Sequence, residues 1–185
     1  MYSPRKIAQI AAYFAQRQGG IINVLKLTKL LYLADRESLR QFGRPITYDL
    51  PVSMPHGPVL SRSKDLMDGF VGGAAGAQWD EWMNARANHD ISVKRQFDRN
   101  DLKELSDADM DVLASVWQKF GAMDQWTLRD WTHENCSEWK DPEGSSVPID
   151  DVSRLRGVGY SPDQARQLAA EIRHERELDA LFAQA

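Results

Sequence analysis

A helix that is apolar around most of its circumference constrains the fold of this chain more than any other feature. Between Asn23, a residue type that can cap a helix N-terminus, and Gly43, which can end one, the sequence reads VLKLTKLLYLADRESLRQF. Its apolar positions fall on one face and continue onto the flanks, at Leu25, Leu27, Leu30, Leu31, Leu33 and Ala34. A helix with so little polar surface is stable in water only when other elements enclose it. We therefore predict that it forms the centre of the core.

Capping signals predict further helices on both sides of this segment. Ser3-Pro4 opens one helix that runs to Gly19-Gly20, and Ser106 with Asp109 forms a capping box for another that ends at Gly121. A further helix is expected through Trp126, Leu128 and Trp131. The last helix is predicted over residues 161–183, after Ser161-Pro162.

The hydrophobic period changes from helical to alternating at Ile46. Alternation from Ile46 to Met54 predicts a strand, which Pro51 restricts to an edge or an interrupted position. The following Met54-Pro55-His56-Gly57-Pro58 is a stiff elbow, because each proline biases the preceding residue away from helix. From these residues alone, the elbow is either a rigid connection or a catalytic loop built on His56. A short helix carrying Leu66, Met67 and Phe70 is expected to follow.

Four glycines between Gly69 and Gly76 predict a mobile loop rather than a regular element. Trp79 and Trp82 follow among polar residues, a mixture typical of a half-exposed surface; the alternative is that both cover the core. Ile91 and Val93 are expected in one or two short strands.

Length and composition fit a single domain over residues 1–185, with its motifs in about residues 4–150, because 185 residues at 42% hydrophobic can bury one ordinary core. The expected fold is mainly α (α+β), a compact helical domain with a small β-hairpin or short antiparallel sheet. The single cysteine, Cys136, suits a reducing compartment. Because no apolar run approaches the roughly 20 residues of a membrane helix, we expect a cytoplasmic protein without a membrane partner.

Charge is distributed unevenly along the chain. Residues 1–65 contain ten Lys and Arg against four Asp and Glu, whereas the remainder contains thirteen against twenty-three. Such a charge dipole can steer a charged partner, or it can simply reflect two solvated surfaces of opposite sign.

Signals for catalysis are weak. His133 and Cys136 have a spacing that could activate a thiol on one helix, but a buried structural cysteine is the simpler interpretation. As a zinc site, the pair lacks two of the four ligands that zinc requires. The sequence also contains no Walker loop, G-x-S-x-G motif or dinucleotide-binding fingerprint. We expect no catalytic, cofactor-binding or metal-binding residues, and no cofactor.

Nucleic-acid binding is the main alternative that the residues suggest. Residues 4–43 resemble a helix-turn-helix and lie in the basic part of the chain. However, a recognition helix needs an exposed polar face, and the second helix is apolar around most of its surface. We therefore do not expect specific binding to nucleic acid.

Three ordered motifs carry a family resemblance: KLTKLLYLADRESLRQFGRPI, MPHGPVLS and LRDWTHENCSEWKDP. Together they resemble the Panacea domain family, the SocA-like group of antitoxins and phage-associated proteins, over roughly Ile7 to Ile149. The resemblance implies a structural role for its motif residues Leu30, Leu31, Tyr32, Asp35, Gly57, Pro58, Val59, Thr132, His133 and Trp139. It favours an elbow in which Gly57-Pro58-Val59 turns from strand to helix, His56 is packed or hydrogen-bonded, and Thr132, His133 and Trp139 close the core.

The same resemblance implies a function. Members are associated with neutralising toxins by direct binding, and one branch delivers its toxin to the ClpXP protease. We therefore expect a cognate protein toxin as the partner, with a DNA-binding transcriptional or phage-related regulator as the alternative. The expected partner-binding residues are two tryptophans after the glycine-rich segment and three arginines on the basic face: Trp79, Trp82, Arg36, Arg40 and Arg44.

Overall fold

The protein is described here by a computed structural model of residues 1–182. Eight α-helices, five short strands and a 3₁₀ turn at Arg99–Asp101 make up this part of the chain. In chain order the helices and strands are α1 (Pro4–Arg17), β1 (Ile21–Asn23), α2 (Val24–Phe42), β2 (Pro51–Met54), β3 (Gly57–Leu60), α3 (Ser61–Met67), α4 (Gly73–Asp80), β4 (Asp90–Ser92), α5 (Asp107–Phe120), α6 (Gln125–Asn135), β5 (Val147–Pro148), α7 (Asp151–Gly157) and α8 (Pro162–Phe182). The predicted fold class, mainly α with a small antiparallel sheet, is confirmed.

Helix α2 lies at the centre of the molecule, as its sequence predicts. It packs against α1, α3, α5, α6, α7 and β3, and its leucines at 27, 30 and 31 have no solvent exposure. Each such leucine contributes about 1.5–3 kcal/mol of stability by leaving water. The Asn23 side chain accepts hydrogen bonds from the first turn, and Gly43 ends the helix with φ 69°. Both ends of the helix are therefore defined by local chemistry.

The sheets are small and antiparallel. In one, β2 lies between β3 and β5; in the other, β1 pairs with β4. The strand predicted from Ile46 to Met54 is wrong in its first half, because β2 begins only at Pro51. Tyr48 has φ 53°, a left-handed conformation that interrupts an extended chain. The break lets the buried Asp49 carboxylate accept from the backbone N–H groups of Arg62 and Ser63 and cap α3.

The elbow is a β-hairpin rather than a turn from strand to helix. Met54 pairs with Gly57 across the two residues Pro55 and His56, and Gly57 to Leu60 forms the second strand. The prediction that Gly57-Pro58-Val59 forms a turn is therefore wrong for Pro58 and Val59, which lie in β3. Gly57 does adopt a left-handed φ of 91°. Helix α3 follows β3 directly.

Two further predictions are wrong: the mobile loop between Gly69 and Gly76, and the placement of Phe70 in the preceding helix. The expected loop contains the start of α4, which packs against α1 and buries Trp79. Gly76 permits the segment before α4 to approach this helix closely, because a Cβ there would lie 2.3 Å from the Val71 carbonyl oxygen. Phe70, expected in the preceding helix, lies beyond the end of α3 and is 78% exposed. The expected strand around Ile91 is present as β4.

A second, smaller hydrophobic cluster joins α7 and α8 to the end of α2. Leu39 and Tyr48 contribute to it from the first part of the chain, and Leu155, Ala165 and Ile172 from the last. The predicted C-terminal helix is present as Pro162–Phe182, and position 183 lies outside the described residues.

Candidate partner-binding groove

A groove of about 770 Å³ lies where α2 and α6 begin. Its walls come from Val24, Leu25 and Lys29 of α2, the hairpin tip at Met54 to His56, Gln125 and Trp126 of α6, and residues 144–146. Arg86 and His89, from the segment before β4, line the same groove. The backbone of His89 is tied to the start of α2, because Val24 N donates to His89 O at 2.8 Å. Segments distant in sequence thus form one concave surface.

Lys29 lies in this wall with no solvent exposure. Its Nζ donates to the Pro58 carbonyl oxygen at 2.9 Å, the one acceptor it has within residues 1–182. An ammonium group has three N–H donors, so two remain without a protein partner in this part of the chain. Burial lowers the pKa of Lys29 to about 7.

Gly57 is tightly packed against this lysine. A Cβ on Gly57 would lie 2.7 Å from Thr132 Oγ1 and 3.1 Å from Lys29 Nζ. The close approach and the left-handed φ both favour glycine. The hairpin, α2 and α6 therefore meet at a point where no side chain fits.

The third motif ties α6 and the segment after it to the hairpin. Thr132 Oγ1 donates to the Arg129 carbonyl oxygen at 2.7 Å, and His133 stacks on Trp139 with ring centroids 4.0 Å apart. Trp139 Nε1 donates to the Met54 carbonyl oxygen at 3.0 Å. Burial, with Lys29 and Arg129 nearby, lowers the pKa of His133.

Cys136 follows α6 as a buried residue. Burial raises the pKa of its thiol to about 12, and the Glu138 carboxylate contributes. A nucleophilic cysteine requires a thiolate, so this environment favours the structural interpretation over an activated thiol.

His56 lies at the exposed tip of the hairpin, so the prediction of a packed or hydrogen-bonded histidine is wrong. Its ring meets Trp126 edge-on, with centroids 6.4 Å apart. Trp126 is 51% exposed. The Asp124 cap, which accepts from Trp126 N at 2.8 Å, is the sequence signal that places Trp126 in the first turn.

Two motif residues of α2, Tyr32 and Asp35, make buried polar contacts with the last part of the chain. Asp35 and Arg154 form an ion pair at 3.2 Å with no exposure on either side chain. Asp35 also accepts from Thr47 N at 2.9 Å. The Tyr32 hydroxyl donates to Glu138 at 2.8 Å. Arg154 and Glu138, which join α2 to the last third of the chain, were not predicted.

The five expected partner-binding residues are not all on the surface. Trp79 and Trp82 are 3% and 5% exposed, so the half-exposed interpretation is wrong. Arg36 is held by Glu138 at 2.9 Å and by two backbone carbonyls. Arg40 and Arg44 are exposed, and Arg40 pairs with Glu37. Only these two remain available for direct contact with a partner.

Within residues 1–182 no group of three or more His, Cys, Asp or Glu side chains is arranged to hold a metal ion. None of the helices in that range is long and apolar enough to cross a membrane.

Comparison with known proteins identifies the family. Neither curated proteins nor solved structures match the chain. The family model described as "Antitoxin SocA-like, Panacea domain" matches residues 27–140, which include most of α2, the hairpin and all of α6. The match covers more than half of the sequence, all of the second motif, and all but three residues of the first and third motifs. The chain therefore belongs to the Panacea domain family of SocA-like antitoxins.

Proposed function

We propose that the protein is an antitoxin-like module that neutralises a cognate protein toxin by direct binding. The observation that carries the proposal is the family match over residues 27–140. Most of the groove walls, including the exposed Trp126, come from this region. We place this activity in the cytoplasm, without catalysis by the chain itself.

The position of α2 supports protein binding over the regulator alternative. In a helix-turn-helix protein the second helix enters the major groove of DNA. Here α2 is enclosed by other elements along most of its length. Most of its side chains have no access to base edges, so DNA recognition by the full length of this helix would require the core to open.

Co-expression tests the proposal. The protein is produced together with the product of the adjacent gene in cells that the latter arrests, and complex formation is measured by co-purification. We expect growth to be restored and the two proteins to elute together. Growth arrest despite normal expression of the folded protein would contradict the proposal.

The exposed Arg40, near the end of α2, is tested in the same cells. Arg40→Glu reverses a charge without removing a buried contact, because Arg40 is exposed. Loss of rescue with an unchanged melting temperature would place the toxin on the face bearing Arg40 and Arg44. Full rescue would show that this face does not contribute to toxin binding.

Delivery of the toxin to ClpXP is the more specific form of the proposal. Purified ClpXP, toxin and this protein are combined, and the toxin is followed by gel. An adaptor accelerates toxin degradation in proportion to its concentration. A toxin that is inactive but stable in this assay identifies simple neutralisation.

A further inference from the structure

The groove carries positive charge without an acidic residue in its wall. Among the lining residues, all within positions 1–182, three have basic side chains and two are histidines, and none is Asp or Glu: Lys29, Lys64, Arg86, His56 and His89. Lys64 and Arg86 both pair with Asp68, so one carboxylate serves two cations. Lys29 has two N–H donors without an acceptor in the described chain. The charge of an anionic ligand would be complementary to this surface.

Apolar surface lies between these charges. Val24, Leu25, Met54 and Val59 line the groove, and Trp126 stands at its edge, 51% exposed. Exposed tryptophans bordering a concave surface are typical anchors of protein complexes. The volume is in the range of about 300–1,000 Å³ that accommodates several ligand groups at once. A small inorganic anion would leave most of it unfilled.

We propose that this groove docks an extended segment of the partner protein that combines acidic with apolar side chains. The inference rests on the proposed function, in which the partner is a toxin. The acidic groups face the rim formed by Arg86 and Lys64, and an apolar group packs on Trp126. Duplex DNA is a poor occupant, because its charge lies on a broad cylinder that does not enter a concave pocket between helix ends.

A peptide selection tests the groove even when the toxin is unidentified. Random peptides of about ten residues, roughly 35 Å when extended, are displayed and selected on the full-length protein. We expect enrichment of peptides that contain both acidic and apolar residues. Failure to enrich peptides, or enrichment of basic or purely apolar ones, would overturn the proposal.

Paired variants locate the binding surface. Trp126→Ala and Arg86→Glu should each lower the affinity of the protein for an enriched peptide by about tenfold or more, as removal of an interface anchor does. The matched controls are Phe70→Ala and Lys103→Glu, which alter an exposed aromatic and an exposed cation that do not line the groove. Melting temperatures identify any variant that is unfolded, and Trp126→Phe and Arg86→Gln then replace it. Equal affinity for groove variants and controls would overturn the proposal.

A charge exchange gives the sharpest outcome. Peptides in which Asp and Glu are replaced by Lys should bind the Arg86→Glu variant better than they bind the wild type.

The outcomes separate the groove proposal from the proposed function. If the groove binds peptides but the protein neutralises no toxin, the proposed function is contradicted and the groove proposal is not. If every groove variant still neutralises the toxin, the docking proposal is contradicted and the proposed function is not. Saturable binding of phosphate or free glutamate without peptide enrichment would identify a small-anion site and overturn the proposal.

Discussion

At the residue scale, Gly57 combines a left-handed backbone conformation, which residues with a side chain rarely adopt, with a close contact. Its φ is 91°, and an added Cβ would lie 2.7 Å from Thr132 Oγ1. Gly69 has a similar φ of 75° with open space around it, and so isolates the backbone effect. We expect Gly57→Val to lose about 3 kcal/mol or more in urea unfolding, and Gly69→Val about 1–3 kcal/mol. Equal losses would show that the contact with α6 is unimportant.

The lowered pKa of Lys29 predicts how the stability of the protein depends on pH. Its pKa is lowered to about 7 in the folded protein, so between pH 7 and its higher unfolded pKa the unfolded chain binds more protons. The cost of burying Lys29 is therefore greatest below pH 7, and stability rises with pH through that window by up to about 1.4 kcal/mol per pH unit. Urea unfolding from pH 7 to 9 should show a steeper rise for wild type than for Lys29→Met. The exposed Lys103→Met should match wild type, and a parallel slope for Lys29→Met would contradict the prediction.

At the element scale, the ion pair between Asp35 and Arg154 joins α2 to α7. Both side chains are fully buried, at 3.2 Å, so removing one leaves a charge without its partner. We expect Arg154→Met to destabilise the protein by about 3–5 kcal/mol. Arg156→Met, an exposed position on the same helix, should change stability by less than about 0.5 kcal/mol. The double variant Asp35→Asn/Arg154→Met should lose less than the sum of its single changes, and additive losses would indicate that the pair is not coupled.

At the scale of the whole molecule, the basic first third and the acidic remainder predict weak, non-specific contact with nucleic acid. Residues 1–65 carry an excess of six positive charges, but the protein as a whole carries −4. Fluorescence anisotropy with duplex DNA should therefore show binding that falls steeply between about 50 and 200 mM salt. Shuffled sequences should bind equally well. Tight, sequence-selective binding at physiological salt would favour a regulator over a toxin-binding protein.

The sequence by itself determined the elements whose ends depend on neighbouring residues. Ser3, Asn23 and Ser106 cap helices as predicted, and Gly43 ends α2, because each acts on backbone groups within a few positions. The enclosed position of α2 also followed from its own apolar surface. The family resemblance was visible in three motifs, although the match over 27–140 is narrower than the predicted span.

Only the tertiary structure decided which side chains are buried together and which remain exposed. Trp79 and Trp82 are covered while Trp126 is not, because their exposure depends on elements packed above them. Asp35 meets Arg154 from 119 positions away, a pairing that no local pattern encodes. The groove likewise has walls from α2, the hairpin and α6. Its shape and charge arise from the packing of distant segments, which periodicity and capping do not specify.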